Sequence, residues 1–148
     1  MLTTILGFLT ILLLSQTVQA APLTTQASWY HSSDGTCQAW EKKGVKDCPT
    51  ASGQNLYWLE AHTPYFAASW DYPLGTMLSV RRTVPLANHS KARTAASRPR
   101  LHVRVSDRGP ARRLVRQGRR LDLSKAAFHA VCGDLAQGVC EVTVEQVR

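Results

Sequence analysis

The chain has 148 residues and a formal net charge of +8, from 18 Lys and Arg against 10 Asp and Glu. Apolar residues make up 44% and charged residues 19%, which excludes a disordered tail, a collagen-like repeat and a multi-pass membrane protein. A chain of this size forms one compact domain with its own core, which we place at residues 21–148.

The first 20 residues differ from the rest because none of them is charged. Ile5 to Leu14 is an apolar run too short to span a bilayer comfortably, and Val18-Gln19-Ala20 has the small-x-small pattern of a cleavage site. We expect residues 1–20 to be a cleaved signal peptide, with an uncleaved N-terminal anchor as the alternative. No Cys follows the run directly, so we expect a secreted or periplasmic protein without lipidation or an integral membrane segment.

Four cysteines lie beyond residue 20: Cys37, Cys48, Cys132 and Cys140. An even number in an exported chain predicts disulfides, and four cysteines allow three pairings. The separations of 11 and 8 residues favour the local pairs Cys37–Cys48 and Cys132–Cys140. Zinc is the alternative, but the chain has no CxxC and no paired His spacing, so we expect neither a metal nor an organic cofactor.

Short segments in which apolar and polar residues alternate predict β-strands. The clearest alternation runs through Leu101, Val103 and Val105, which would bury one face of a strand. Val84 to Pro99 is rich in Ala, Ser, Arg and Pro and has no periodicity, which predicts a long exposed loop. The predicted strands are Gln26 to Tyr30, Met77 to Thr83, Leu101 to Ser106 and Glu141 to Val147.

One helix is well signalled, from Lys125 to Val131. Ser124 can cap its N-terminus, and Gly133 stands just past its end. Short strands of similar length and so little helix predict a mainly β fold, a small barrel with one or two short helices.

The basic residues are concentrated in residues 81–125, which hold 14 of the 18 Lys and Arg and only two acids, Asp107 and Asp122. Such a stripe indicates a polyanionic partner: an anionic cell-wall polymer, acidic lipid head groups or nucleic acid. No Phe, Trp or Tyr is interleaved with these arginines, so we do not expect nucleic-acid binding. A solvated basic surface without a specific partner is the alternative.

The strongest chemical signal lies where the strand that contains Val105 runs into Gly109-Pro110. This turn is predicted to present Asp107 at the mouth of the barrel. A partly desolvated carboxylate beside arginines can serve as a general acid or base. The alternative is a turn-forming Asp whose oxygens accept backbone N–H bonds.

Five segments occur in this order along the chain: Ala27-Ser28-Trp29-Tyr30, Thr50-Ala51-Ser52-Gly53-Gln54, Tyr72-Pro73-Leu74-Gly75-Thr76, Ser106-Asp107-Arg108-Gly109-Pro110 and Gly118-Arg119-Arg120-Leu121-Asp122-Leu123-Ser124. Together they resemble the rare lipoprotein A-like domain, which is related to the expansin and barwin barrels. The Asp-Arg-Gly-Pro and Asp-Leu-Ser segments are the most specific. The resemblance covers nearly all of residues 21–148 and implies a six-stranded double-psi β-barrel.

The resemblance implies action on peptidoglycan, because active members of the family are lytic transglycosylases. Asp107 matches the family's catalytic acid/base, which would protonate the oxygen between N-acetylmuramic acid and N-acetylglucosamine. It would then accept the proton of the muramyl 6-hydroxyl, which closes to a 1,6-anhydro end. One carboxylate suffices because no water has to be positioned, unlike in hydrolytic glycosidases.

The same resemblance implies further site residues. Asp122 matches an aspartate that matters in expansin-like relatives, with ordering of the turn before Ser124 as the alternative role. Counting back from Pro73, Ser69 stands where the family has a His that works with the catalytic Asp. We therefore place Asp107, Asp122 and Ser69 in the catalytic set and expect sugar contacts from Trp70, Tyr72, Arg108 and Arg119.

Six aromatic residues can stack on sugar rings, with packing in the core as the alternative: Tyr57, Trp58, Tyr65, Phe66, Trp70 and Tyr72.

Two other functions of the protein stay open. One is a non-catalytic barrel of the expansin type that binds wall polysaccharide, and the other is a secreted effector or inhibitor that uses the barrel as a scaffold. The expected partner is a peptidoglycan glycan strand or another anionic wall polymer, bound by a monomer.

Overall fold

The computed structural model describes residues 21–35, 37–38, 47–83 and 100–147. The predicted signal peptide at residues 1–20 and the predicted loop at residues 84–99 lie outside these ranges. No helix among the described residues is long and apolar enough to cross a membrane.

Six strands close into a barrel in the order β1-β5-β2-β4-β3-β6. The pairs β1–β5 and β2–β4 are parallel, and the other four pairs are antiparallel. This architecture confirms the mainly β, six-stranded double-psi barrel. The strands are β1 (Leu23–Tyr30), β2 (Phe66–Ala68), β3 (Met77–Arg82), β4 (Leu101–Asp107), β5 (Arg119–Ser124) and β6 (Val139–Gln146).

The four strands predicted from alternation are present as β1, β3, β4 and β6, with ends shifted by up to three residues. The sequence reasoning missed β2 and β5. β2 has three residues, all buried, so it offers no alternation to detect. β5 begins with Arg119 and Arg120, which the sequence analysis assigned to the basic stripe. Asp122 therefore lies within a strand rather than in a turn.

Three short α-helices have both ends within the described residues, rather than one or two: α1 (Leu56–His62), α2 (Arg112–Arg116) and α3 (Lys125–Cys132). The predicted helix is α3, and Ser124 Oγ accepts a hydrogen bond from the Ala127 N–H at 3.2 Å. The same kind of cap starts α1, where the Asn55 side chain accepts from the Tyr57 N–H at 2.9 Å. α2 has five residues and no side-chain cap, so it carried no sequence signal.

The barrel interior is filled by residues that alternate along the strands, and α3 adds its Phe128 ring to the same core. On β4 this alternation buries Val103 and Val105, as predicted. A second apolar cluster packs outside the barrel, where Leu56 and Leu59 of α1 meet Phe66. α1 is thereby fixed against the outer face of the barrel wall.

All four cysteines are paired, as Cys37–Cys48 and Cys132–Cys140. The Cα atoms of the two pairs are 5.3 and 6.2 Å apart. The local pairing favoured by the sequence is therefore confirmed. Disulfides of this kind are typical of proteins that fold in an oxidising compartment.

Candidate functional site

Asp107 and Asp122 line the same cleft, which has a volume of about 340 Å³. β2 lies between β4 and β5, and Ala68 of β2 is aligned with Asp107 on one side and Asp122 on the other. Asp122 lies between Leu121 and Leu123, which belong to the barrel core, so its carboxylate faces the outside. The site is therefore on the outer face of the barrel wall, not at the mouth of the barrel as the sequence predicted.

A β-bulge brings Asp107 onto this face. Ala67 pairs with Val105, but the next residue, Ala68, pairs with Asp107, which leaves Ser106 as the extra residue on β4. Without the bulge Asp107 would follow Val105 into the barrel, because side chains two apart on a strand share a face. The bulge thus decides that both aspartates reach the same cleft.

One oxygen of Asp107 is held and the other is open. Oδ1 accepts hydrogen bonds from the backbone N–H groups of Ala51 and Arg108, both at 2.8 Å. The Ser69 N–H donates to the Asp107 carbonyl at 3.1 Å, which fixes the backbone. Within the described part of the chain, no hydrogen bond reaches Oδ2, so this oxygen is available to a ligand in the cleft.

The carboxylate of Asp122 is more buried. Burial raises its pKa, while a hydrogen bond from Ser28 Oγ and the charge of Arg119 oppose the rise and Asp34 adds to it. Gly109 lies directly against this group: a Cβ atom there would be 3.3 Å from Asp122 Oδ2 and 3.2 Å from the Ala68 Cβ. The glycine of the Gly-Pro turn therefore leaves the space that the carboxylate occupies.

Tyr30 is a cleft residue to which the sequence analysis gave no role. Its hydroxyl is buried and has no hydrogen-bond partner among the described residues. Burial raises the pKa of the phenol strongly, and the charges of Asp107, Asp122 and Glu60 raise it further. The phenol therefore stays protonated. Trp29 packs on the barrel core, and successive side chains on a strand point to opposite faces, so Tyr30 faces outward. This alternation is the sequence feature that could have indicated Tyr30.

Ser69 is not among the described residues that line this cleft. Its side chain is fully buried, and its Oγ lies 3.3 Å from the Arg120 carbonyl, to which it donates. The same Oγ accepts from the Asp71 N–H at 3.2 Å. The hydroxyl is thus engaged within a turn, and only the backbone of Ser69 contacts Asp107.

The four predicted sugar-contacting residues do not form one group. Arg108 lines the cleft, and its Nη1 donates to the carbonyls of Ser69 and Tyr72, both at 2.8 Å. Tyr72 is half-buried against the barrel core. Arg119 acts on Asp122 through its charge. Through its two hydrogen bonds to these carbonyls, Arg108 also holds the turn between β2 and β3.

Trp70 stands outside the cleft with 38% of its surface exposed. Its Nε1 donates to the Pro110 carbonyl at 2.8 Å, and the Arg112 guanidinium carbon lies 3.9 Å from the ring centroid. Arg112, Arg113 and Arg116 of α2 are all exposed, and we call these three the α2 basic face. An indole fixed in place therefore adjoins a strongly cationic surface.

Arg120, in contrast, is already paired. Its Nε and Nη2 donate to the two carboxylate oxygens of Asp71 at 2.9 and 2.8 Å. The basic stripe of the sequence is thus divided into arginines that hold the fold and arginines that face solvent. No group of three or more potential metal ligands is present in the described ranges.

The class of fold follows from comparison with solved structures. A mutant expansin of Clavibacter michiganensis, crystallised in complex with cellohexaose, matches with a TM-score of 0.50 and 19% sequence identity. The match covers 85% of this chain and 51% of that chain, so this chain spans about half the length of that expansin. The protein has an expansin-like barrel. No family model and no curated protein matches the sequence.

Proposed function

We propose that the protein is a cell-wall polysaccharide-binding barrel of the expansin type, which acts without cutting its ligand. The observation that carries the proposal is the open cleft on an expansin-like barrel, which Tyr30, Asp107 and Arg108 line together. Donors and acceptors side by side suit the hydroxyl groups of a sugar, each of which both donates and accepts. The expansin with this fold was crystallised with a cellohexaose, a chain of the same chemical class.

The charge supports an anionic wall polymer, such as a peptidoglycan glycan strand, as the partner. The net charge is +8, and the α2 basic face presents three exposed arginines, of which Arg112 lies over the Trp70 ring. Exposed cations attract a polyanion over roughly one Debye length, about 10 Å at 0.1 M salt. The disulfides agree with a protein secreted to the wall.

The test is co-sedimentation of the purified protein with insoluble peptidoglycan at several salt concentrations. We expect the double variant Arg113→Gln/Arg116→Gln to bind about tenfold more weakly at low salt, a loss of about 1.4 kcal/mol. The charge-matched control is Arg100→Gln/Lys125→Gln, which should bind nearly as well as wild type. Equal losses in both double variants would show that binding depends on net charge and not on the α2 basic face. Binding that does not change with salt concentration would contradict the electrostatic account.

A second candidate function is the lytic transglycosylase implied by the family resemblance. The observation that favours it is the presence of two carboxyl groups in one cleft, one with a free oxygen and one with a raised pKa. In this reaction Asp107 gives a proton to the glycosidic oxygen as the bond to the muramyl C1 breaks. The 6-hydroxyl then gives its proton back to Asp107 and bonds to C1, which forms the 1,6-anhydro end.

Product analysis separates the two functions. Peptidoglycan stripped of its stem peptides is incubated with wild type and with Asp107→Asn, and 1,6-anhydromuramyl ends are measured by mass spectrometry. Such ends from wild type alone establish the transglycosylase. No such ends, with both proteins still sedimenting with the wall, support the binding barrel.

A further inference from the structure

A second cleft of about 310 Å³ lies beside the first, between α1 and the outer face of β2, β4 and β3. Arg104 of β4 is aligned with Phe66 of β2 and with Met77 of β3, so these three residues form a row across the wall. Arg104 points away from the barrel core because Val103 and Val105 point into it. The proposed function does not use this cleft.

Two exposed aromatic residues line this cleft. Trp58 of α1 is 47% exposed and Tyr65 is 46% exposed, although large aromatic side chains are usually well covered. The His62 ring stacks on the Trp58 ring at 4.8 Å between centroids and 13° between planes, which restrains the indole. Restrained aromatic rings with open surface are suited to the apolar faces of sugar rings.

One polar group of this cleft, the Ser106 hydroxyl, lacks a hydrogen-bond partner within the described part of the chain, and a ligand can supply one. Ser106 is only 1% exposed, and its Oγ has no hydrogen-bond partner among the described residues. An unsatisfied buried hydroxyl is unfavourable, and a ligand hydroxyl that reaches it would supply the missing hydrogen bond. Gln54 and Thr63 also line the cleft. Gln54 Oε1 accepts from Ser52 Oγ at 3.3 Å, and Thr63 Oγ1 donates to the Leu59 carbonyl at 3.5 Å.

The cleft has one free positive charge. The guanidinium of Arg104 is exposed and forms no ion pair or side-chain hydrogen bond with any residue in the described ranges. A single guanidinium in a cleft that two exposed aromatic residues also line fits one carboxylate on one sugar, whereas a phosphate backbone needs a row of cations. We propose that this outer cleft binds a carboxylate-bearing sugar residue of the wall polysaccharide.

A single hydrogen-bonded loop joins this cleft to the first one. Thr50 lines the first cleft and Gln54 lines the second, and the Thr50 N–H and Oγ1 donate to the Gln54 carbonyl at 2.8 and 2.9 Å. The Ser52 N–H donates to the Ser106 carbonyl at 3.1 Å, which anchors the loop on β4. One polysaccharide chain passing over this loop would contact both clefts. The inference rests on the proposed function and adds that the ligand carries carboxylates.

Calorimetric titration with two matched oligosaccharides tests the inference: a tetramer of galacturonic acid and the neutral cellotetraose. We expect wild type to bind the acidic tetramer more tightly. Arg104→Gln should weaken binding of the acidic tetramer about tenfold and leave cellotetraose unchanged, because it removes one charge-assisted contact. Trp58→Ala should weaken both ligands. Arg100→Gln, which removes an equal charge outside the cleft, should behave like wild type.

The outcomes separate this inference from the proposed function. If wild type binds neither peptidoglycan nor either tetramer, the proposed function fails. If peptidoglycan binding persists but Arg104→Gln and Trp58→Ala bind both tetramers like wild type, only the inference about the outer cleft is overturned. Tighter binding of single-stranded oligothymidine than of the acidic tetramer, lost in Trp58→Ala, would overturn it in favour of a nucleic acid. Near-UV circular dichroism confirms that each variant is folded.

Discussion

Asp107 and Asp122 are both aligned with Ala68, from opposite sides of β2, and face the outer surface of the barrel wall. They are 15 residues apart in the sequence, and the helix α2 lies between them. The extra residue Ser106 on β4 is what turns Asp107 to the side of Asp122. The cleft that we propose to bind polysaccharide therefore depends on strand order and on a single bulge.

The raised pKa of Asp122 predicts a pH-dependent stability. The folded carboxyl keeps its proton above the ordinary value of 3.8, so its favourable contribution is present below that pH and is lost as pH rises through the folded-state pKa. Asn does not ionise. The stability of Asp122→Asn relative to wild type should therefore increase as pH rises from 3.8 towards neutrality, in thermal unfolding followed by circular dichroism. Parallel curves for the two proteins would contradict this prediction.

Gly109→Ala is expected to destabilise the protein by about 1–3 kcal/mol, as overpacking usually does. The new Cβ would press on the Ala68 Cβ, which cannot rotate away, and on Asp122 Oδ2. Urea unfolding measures the loss. Gly35→Ala is the control, because a Cβ there meets no atom of the described residues within 4 Å. Equal effects of the two substitutions would show that the contact at Gly109 is unimportant.

Arg108→Gln removes two hydrogen bonds from a guanidinium to the carbonyls of Ser69 and Tyr72. Bonds of this charge-assisted kind contribute about 1.5–3 kcal/mol, so we expect a loss of about 2 kcal/mol in urea unfolding. Arg113→Gln makes the same chemical change at an exposed site and should stay within about 0.5 kcal/mol of wild type. An Arg108 variant as stable as the control would mean that other contacts hold the turn.

Ser106→Ala should leave the free protein as stable as wild type or stabilise it by up to about 1 kcal/mol. The substitution removes a buried hydroxyl that has no described partner, so no hydrogen bond is lost. The same variant should bind the acidic tetramer more weakly, since the ligand loses a contact. Urea unfolding and calorimetric titration give the two quantities. Marked destabilisation would reveal a partner for the hydroxyl in the free protein.

Cys132→Ser/Cys140→Ser is expected to lower the free energy of unfolding by about 2.5 kcal/mol. The disulfide ties the end of α3 to β6 and closes a loop of 8 residues, which restricts the unfolded chain. Urea unfolding of wild type under reducing conditions should give a loss at least as large, because Cys37–Cys48 opens as well. A change below about 0.5 kcal/mol would contradict the chain-entropy account.

The candidate site was only partly predictable. Asp107, Asp122 and Arg108 were singled out from their motifs, and all three line one cleft. Ser69 was placed with them by counting along the chain, but its hydroxyl is buried in a turn, because a sequence position does not fix the direction of a side chain. Tyr30 was missed because its chemistry depends on burial and on aspartates that approach it only in the fold.

Local sequence patterns were sufficient to predict the features that depend on residues close together in the chain. Alternation indicated the strand that buries Val103 and Val105, a Ser–Gly pair delimited α3, and short separations identified both disulfide pairs. The shared cleft of Asp107 and Asp122 on the outer wall, and the second cleft that Trp58 and Tyr65 line, became visible only in the folded chain. Strand order in a closed barrel and a one-residue bulge both depend on contacts between distant segments, and no local pattern encodes such contacts.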